Sequence, residues 1–204
     1  MLEFFFKGGA VMYPLLLCSV LTVAYGMERG YHYLRAGRGG GSVDRVRSLA
    51  GRGEFDEALA LAEGTPGPVA AVLAEALRNR WRDAAALEES VSLKGSIELR
   101  RLTRNLHVLE LTGRMSPLLG LLGTVLGMVE AFKRVASAQG SVDPSLLAGG
   151  IWEALITTVA GLCVAIPALV MHHFFEDRMA SFAFRMKHHG SEMVKLLGGK
   201  RDRV

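Results

Sequence analysis

Two threonines lie inside long apolar stretches of the sequence, and each belongs to a stripe of small residues. Residues three and four positions apart lie on one face of a helix. With that spacing, Thr124 shares its face with Gly120, Gly127 and Ala131. In a later stretch, Thr158 shares its face with Ala154, Gly161, Ala165 and Ala168. A threonine hydroxyl donates and accepts hydrogen bonds without carrying a charge, so these two positions give apolar helices a means of polar chemistry.

Spacing alone leaves two interpretations of these stripes open. Small residues allow the backbones of two membrane helices to approach closely, and a threonine hydroxyl can bond to a carbonyl of its own helix. On this interpretation the stripes serve only helix packing. On the other, they line a cavity shared by several copies of the chain, and the hydroxyls of Thr124 and Thr158 form rings at matched depth.

Other candidate residues interrupt the apolar stretches or lie toward their ends. Pro117 and Pro167 remove helical hydrogen bonds and predict kinks. Glu130 and Glu153 lie toward one end of their stretches. Glu153 precedes Thr158 by five residues, which is about 140° around a helix, so the two side chains do not share a face. Two roles therefore stay open for Glu153, in a polar pathway or in a contact between subunits.

The histidine pairs and the motif content exclude several functions. His172/His173 and His188/His189 are adjacent pairs, and neighbouring side chains on a helix point about 100° apart, which disfavours a shared metal ion. The sequence contains no nucleophile elbow, phosphate-binding loop or zinc motif. We therefore expect a protein that is not an enzyme, with no catalytic residue, no metal and no cofactor.

The apolar stretches themselves predict helices that cross a membrane. The chain has 204 residues, and 50% of them are hydrophobic. There is no charged residue in 8–27 or 115–129, and no acidic residue in 154–175. About 20 apolar residues in a helix span the hydrocarbon core of a bilayer. A chain of this length is too short to bury three such helices on all sides, so three spans are expected.

The basic residues predict the orientation of these spans. Of the 24 lysines and arginines, 14 lie between Glu28 and Arg114, and seven follow the third apolar stretch. Basic residues accumulate on the cytoplasmic side of membrane proteins, which puts the N-terminus outside and the C-terminus in the cytoplasm. Basic and aromatic residues are not interleaved as on a nucleic-acid surface, so no nucleic-acid partner is expected.

These features predict an all-α integral membrane protein with three transmembrane helices. The second and third of these helices are expected to be long and to extend into a helical cytoplasmic domain. The predicted segments are the first transmembrane helix (1–27), the cytoplasmic domain (28–114), the second transmembrane helix (115–136), an outer turn (137–145), the third transmembrane helix (146–175), and a cytoplasmic C-terminal helix and tail (176–204).

Within the cytoplasmic domain, the apolar periodicity predicts individual helices. Helical spacing covers 55–64 and 69–77, and the turn sequence GTPGP separates the two. The glycines in 37–42 predict a flexible linker. The amphipathic stretch from about Ala84 is expected to continue as one long helix into the second span.

Two blocks of the sequence resemble a known family. LLGLLGTVLGMVEAF, followed about twenty residues later by GGIWEALITTVAGLCVAIPALV, is similar to the paired helices of the MotA/TolQ/ExbB proton channel family. The resemblance covers about 105–175, and GGAVMYPLLLCSVLTVAYGMERG is similar to the first span of ExbB-type members. Thr124 and Thr158 match the threonines of the ExbB and TolQ types. Glu153 and Pro167 match the family's glutamate and proline.

The resemblance implies an ExbB-like subunit of a proton-motive-force-driven motor in the inner membrane, with a periplasmic N-terminus. In such a motor, a homo-pentamer surrounds a pore with its second and third helices. An ExbD/TolR-like single-span partner, present as a dimer in the pore, supplies the aspartate that binds the proton. A TonB-like protein then passes force to the outer membrane. Thr124, Thr158 and Glu153 would belong to the proton pathway. The pore-facing small residues would be Gly120, Gly127, Ala131, Ala154, Gly161 and Ala165.

Some positions depart from the family pattern, and other functions stay open. Leu126 stands where a tryptophan is common, and Trp152 stands where a small residue is common. The alternatives are a TolQ-like subunit of a Tol-Pal envelope system, a non-conducting membrane scaffold, and a channel that conducts without a partner. The last is disfavoured because no span carries a carboxylate at its middle, where an ionisable group normally marks an ion path.

Overall fold

A computed structural model describes residues 8–37, 39–137 and 144–201 of the chain. These residues form seven α-helices and no strand, which confirms the all-α prediction for the described ranges. The helices are α1 (Met12–Gly37), α2 (Gly40–Arg52), α3 (Phe55–Gly64), α4 (Pro68–Arg78), α5 (Ala84–Thr103), α6 (Leu106–Ser137) and α7 (Pro144–Arg201). Most of the predicted outer turn lies outside the described residues, as do residues 1–7 of the predicted first span.

Apolar periodicity locates the short helices well, but it misplaces the linker. α3 ends at Gly64 and α4 begins at Pro68, on either side of the predicted turn. The linker prediction for 37–42 is wrong at its C-terminal end, because α2 begins at Gly40. α2 buries Val43 and Val46, and burial of an apolar face stabilises a helix more than two glycines destabilise it.

A two-residue interruption separates α5 from α6. α5 ends at Thr103, Arg104 is extended with ψ 133°, and Asn105 has a left-handed φ of 63°. The expectation of one uninterrupted helix from Ala84 into the second apolar stretch is therefore wrong. Asparagine adopts the left-handed region more readily than other residues with a Cβ, and apolar spacing carries no signal for such a conformation.

Substitution of Asn105 tests this interruption. Asn105→Ala should lower the free energy of unfolding by about 1 kcal/mol, because the left-handed conformation is unfavourable for alanine. Asn105→Gly should be at least as stable as the wild type, since glycine adopts this region freely. Thermal unfolding of the detergent-solubilised chain would measure both. Equal stability of the alanine and glycine variants would contradict a left-handed residue at this position.

The described chain divides into two compact units. The first unit contains residues 8–28 and 105–173, and the second unit contains 29–104 and 174–201. In the second unit, Leu73 and Leu77 of α4 and Met193 of α7 are at most 1% exposed. A Cβ added to Gly190 of α7 would lie 2.9 Å from Val91 of α5 and 3.2 Å from Val72 of α4. The C-terminal part of α7 thus covers the apolar face that the sequence predicted for α4.

An ion pair joins α2 to α7 in the second unit. Arg47 donates to the carboxylate of Glu192 at 2.6 Å. His188 Nε2 and His189 Nδ1 lie 3.5 Å and 3.6 Å from the same carboxylate. Burial raises the pKa of the Glu192 carboxyl, but the charges of Arg47, His188 and His189 and the hydrogen bond from Arg47 together outweigh burial, so the pKa is below its ordinary value. Burial, followed by the charge of His188, lowers the pKa of His189.

Acidification should therefore destabilise the second unit. Both depressed pKa values mean that the unfolded chain binds these protons more tightly than the folded chain. The contribution of His189 is complete above its ordinary pKa of about 6.5 and declines as the pH falls below it. That of Glu192 is lost only at more acidic pH, as the pH falls through its depressed pKa. We expect the melting temperature of the full chain to fall between about pH 7.5 and pH 5.5.

His189→Gln separates this effect from general acid sensitivity. Glutamine does not titrate, so the variant should lose part of the decrease in melting temperature over that pH range. Thermal unfolding followed by circular dichroism would compare the two chains in the same detergent. An unchanged pH dependence in the variant would contradict the assignment to His189.

Two helical stretches in the described residues are long and apolar enough to cross a membrane. They lie within Ala84–Ser137 and Leu147–Gly199. Only 22% and 28% of their most apolar windows are buried within the chain. The remaining apolar side chains need an apolar environment from outside the chain, which lipid or further subunits would provide. α1 is not one of these two stretches, so a third span remains a proposal.

Candidate functional site

The two long apolar helices of the first unit contact each other through small residues. A Cβ added to Gly120 of α6 would lie 2.9 Å from the carbonyl oxygen of Thr157 and 3.0 Å from the Cα of Thr158. A Cβ added to Gly161 of α7 would lie 2.5 Å from the carbonyl oxygen of Ser116. Because the nearest atoms are backbone, no side-chain movement could make room. These glycines permit a close approach of α6 and α7, as small residues do in membrane helix pairs.

The same contact continues along both helices. Gly127 lies against Ala154, and Gly150 lies against Ala131. Gly120 and Gly161 are buried, and Gly127 is half-buried. The three alanines of the predicted set are also buried: Ala131, Ala154 and Ala165. The small residues of the two stripes thus form part of the contact between α6 and α7 within one chain. Their role as pore-facing residues stays a prediction.

The two predicted hydroxyls lie at the margin of this contact. Thr158 is half-buried, and its Oγ1 donates to the carbonyl of Gly120 at 3.1 Å. Thr124 is half-buried, and its Oγ1 donates to the carbonyl of Leu121 at 2.6 Å. A hydroxyl that donates its proton keeps acceptor lone pairs. Each threonine can therefore accept a hydrogen bond from a group that approaches its exposed side.

Thr157 is a polar residue of this site that the sequence analysis missed. Its side chain is 2% exposed. Its Oγ1 lies 2.7 Å from the carbonyl oxygen of Ala154 and 3.1 Å from that of Gly120. A Cβ on Gly123 would collide with the Thr157 side chain. The available signal was the doublet of adjacent threonines, but helical spacing excluded Thr157 from the stripe that contains Thr158.

A second group of buried hydroxyls joins α1 to α6. Thr22 Oγ1 donates to Thr112 Oγ1 at 3.1 Å, and Ser116 Oγ donates to the Thr112 carbonyl at 2.6 Å. All three residues are at most 4% exposed. Hydrogen bonds between membrane helices contribute about 0.6 kcal/mol each on average. The bond from Thr22 to Thr112 ties α1 to α6, whereas the Ser116 bond lies within α6. Single threonines without a stripe gave no sequence signal for the bond between the helices.

A cavity of about 280 Å³ lies in the first unit, at the end of the helix pair that carries the acidic residues. Its wall includes Glu130, Arg134, Glu153 and Thr157. Glu130 pairs with Arg134 at 3.4 Å. Glu153 is half-buried and shares the cavity with Thr157, four residues along the same helix. The role of Glu153, in a polar pathway or in a contact between subunits, stays a prediction.

The two prolines lie within continuous helices. Pro117 is inside α6 and Pro167 is inside α7, and neither residue ends its helix. Proline has no backbone N–H, so Pro117 leaves the carbonyl of Gly113 without its helical donor. Kinks at these two positions stay a prediction.

The second unit holds one group of potential metal ligands among its described residues. The ligand atoms of His188, His189 and Glu192 lie within 4.8 Å of one another. Adjacent side chains on a helix point about 100° apart, but His188 and His189 nevertheless both lie close to the Glu192 carboxylate. The angle alone therefore does not exclude a shared partner for this pair. The guanidinium of Arg47, at 2.6 Å, already provides the positive charge that balances Glu192. The arrangement is an ion pair flanked by imidazoles.

The fold and the site define a class of protein. Two long apolar helices, mostly unburied within the chain, contact each other through glycine and alanine and carry uncharged hydroxyls. These features characterise a membrane protein whose apolar helical stretches carry neutral hydroxyls and no acidic residue in 115–129 or 154–175. The profile of the MotA/TolQ/ExbB proton channel family matches residues 65–188. The chain belongs to this family, which confirms the resemblance found in the sequence.

Individual relatives agree with this family. The chain is 36% identical over 176 residues to the biopolymer transport protein exbB1 of Vibrio cholerae, covering 79% of the chain and 72% of the relative. It is 34% identical over 174 residues to a putative biopolymer transport protein, ExbB-like 1, of Synechocystis, covering 84% and 68%. It is 29% identical over 187 residues to a putative ExbB homologue of Methanothermobacter thermautotrophicus, covering 87% and 63%.

Proposed function

We propose that the chain is an ExbB-like subunit of a proton-motive-force-driven motor complex in the inner membrane, which energises TonB-dependent transport across the outer membrane. One observation carries the proposal. Thr124 and Thr158 place half-buried hydroxyls on two apolar helices that contain no acidic residue in 115–129 or 154–175. Such helices can form hydrogen bonds to a titrating group, but that group has to come from another chain.

The proposed partner is an ExbD/TolR-like protein with a single span, which supplies an aspartate. A hydroxyl can donate to this carboxylate when it is ionised and accept from it when it is protonated. Thr124 and Thr158 can therefore contact both states without becoming charged. A proton that moves down the membrane potential releases about 2.3 kcal/mol per 100 mV. In the proposed motor, this energy drives movement between the partner and the ring of subunits, and a TonB-like protein receives the force.

The proposed assembly is a homo-pentamer with three spans in each subunit, around a dimer of the partner. The low burial of the apolar helices within one chain supports contacts with lipid and neighbouring subunits. The concentration of basic residues between Glu28 and Arg114 supports a periplasmic N-terminus and a cytoplasmic C-terminus. Glu153 then lies at the periplasmic end, on the cavity beside Thr157.

A non-conducting scaffold is a second candidate, and one specific observation favours it. The small residues of the stripes pack α6 against α7 within the chain, so their presence does not require a pore. The two candidates differ in the expected role of the threonine hydroxyls, which would be dispensable in a scaffold. A TolQ-like role within the same family would be separated from the ExbB-like role by complementation of hosts that lack ExbB or TolQ.

Native mass spectrometry tests the proposed assembly. The chain would be co-expressed with its ExbD-like partner, extracted in detergent and analysed as an intact complex. We expect a pentamer of this chain that carries two partner chains. A monomer or dimer that does not bind the partner would contradict the motor function and leave the scaffold as the better account.

A further inference from the structure

Two hydroxyls compete for the one free lone pair of the Gly120 carbonyl where α6 contacts α7, because the helical N–H of Thr124 occupies the other lone pair. Thr157 Oγ1 and Thr158 Oγ1 each lie 3.1 Å from the carbonyl oxygen of Gly120. Thr157 Oγ1 also lies 2.7 Å from the carbonyl oxygen of Ala154. A hydroxyl has one proton and rotates to suit its surroundings, so Thr157 fully satisfies only one of these two carbonyls at a time.

We propose that Thr157 is a positioning residue that sets whether the Thr158 hydroxyl donates or accepts on its exposed side. When Thr157 donates to Ala154, the Gly120 carbonyl receives the proton of Thr158, and Thr158 presents only lone pairs outward. When Thr157 donates to Gly120 instead, the Thr158 hydroxyl is released and can donate outward. This inference rests on the proposed function, because it requires a carboxylate of the partner to approach Thr158.

The two hydroxyl arrangements match the two states of a titrating carboxylate. A protonated carboxyl needs an acceptor, and an ionised carboxylate needs a donor. Thr157 lets Thr158 serve either state while the Gly120 carbonyl keeps one hydroxyl donor throughout. Thr157 itself is 2% exposed, so it acts only through Thr158. Helical spacing alone would classify Thr157 as a packing residue. Because Thr157 and Thr158 share the Gly120 carbonyl as an acceptor, Thr157 can also control the direction of the Thr158 hydrogen bond.

Proton flux as a function of pH tests the inference. The chain and its ExbD-like partner would be reconstituted together in liposomes, and flux would be recorded across a pH series. Thr157→Val keeps the shape of the side chain but removes its hydroxyl, so the Thr158 proton stays on the Gly120 carbonyl. The ionised carboxylate then loses a donor, and we expect the pH midpoint of flux to rise by about half a unit to one unit.

Conservative and matched variants separate this effect from a loss of packing. Thr157→Ser keeps a hydroxyl and should return the midpoint toward the wild-type value. Thr112→Val removes another buried hydroxyl of the first unit, which bonds to Thr22 and Leu109, and should not move the midpoint. The charged residues on the adjacent cavity are Glu130, Arg134 and Glu153. The rise should therefore also be present when Thr157→Val is measured in a Glu130→Gln background, which removes a charge of this cavity outside the proposed pathway.

The possible outcomes are distinct. An unchanged midpoint in Thr157→Val, or an equal rise in Thr112→Val, would overturn the positioning role. If Thr157→Val conducts too little to measure, recovery of flux at the wild-type midpoint by Thr157→Ser supports the role, and an equally inactive serine variant overturns it. Flux at the wild-type level in Thr158→Val would instead overturn the proposed function. If Thr158→Val loses flux but the pH midpoint of Thr157→Val equals that of the wild type, only the positioning role is overturned.

Discussion

Thr158→Val is expected to lower partner-dependent proton flux by about 10- to 100-fold, without loss of assembly. A hydrogen bond to an ionised group contributes about 1.5–3 kcal/mol, and each 1.4 kcal/mol corresponds to a factor of ten. Valine has nearly the same shape as threonine, and the Gly120 carbonyl still has Thr157 Oγ1 at 3.1 Å. The fold should therefore tolerate the change while the proposed site loses its polar contact. Flux in liposomes and native mass spectrometry would measure the two properties separately.

Thr124→Val should lower flux in the same way, because its hydroxyl bonds only to Leu121 of its own helix among the hydrogen bonds described. The matched control is Thr112→Val, which removes a buried hydroxyl of the same unit at a position outside the proposed pathway. Proton flux in the Thr112→Val variant should stay close to that of the wild type. Retained flux in both Thr124→Val and Thr158→Val would contradict a role of these hydroxyls in conduction, and equal losses in all three variants would point to a general packing defect.

Gly161→Ala is expected to destabilise the first unit by about 1–3 kcal/mol, as overpacking of a close contact does. The added Cβ would lie 2.5 Å from the carbonyl oxygen of Ser116 and 3.2 Å from the Cα of Gly120. Relief of this collision requires α6 and α7 to move apart, which also weakens the hydrogen bond from Thr158 to the Gly120 carbonyl. The higher helix propensity of alanine, worth about 1 kcal/mol, only partly offsets the effect. Thermal unfolding in detergent would measure the difference.

Gly149→Ala provides the matched control within the same helix. A Cβ added to Gly149 has no atom within 4 Å among those of the described chain. This variant should be as stable as the wild type or slightly more stable, because alanine favours the helix. If Gly161→Ala and Gly149→Ala had the same stability, the close contact between α6 and α7 would be contradicted.

The fold was predictable where apolar spacing decides structure. α3 and α4 begin and end close to the limits set by their apolar stripes and the turn GTPGP. The long apolar helices follow from runs without charged residues. The break at Asn105 was not predictable in this way, since it depends on the backbone conformation of one polar residue. The helical start of α2 at Gly40 was missed because burial of Val43 and Val46 outweighs weak local propensity.

The residues of the candidate site were predictable from the sequence, but the hydrogen bonds that they form between α6 and α7 were not. Helical spacing grouped Gly120 with Thr124 and grouped Thr158 with Gly161. The shared Gly120 carbonyl depends on how α6 and α7 face each other, and a single helix carries no information on that contact. Thr157 was missed for the same reason, because its role becomes visible only when the opposite helix is present.

Proton flux with and without the partner tests the central claim most directly. The chain would be reconstituted in liposomes alone, and in parallel together with its ExbD-like partner, at equal protein density and under the same imposed membrane potential. The account predicts flux only from the combined complex, because the chain supplies neutral hydroxyls and the partner supplies the carboxylate. Equal flux from the chain alone, or no flux from the combined complex, would contradict it.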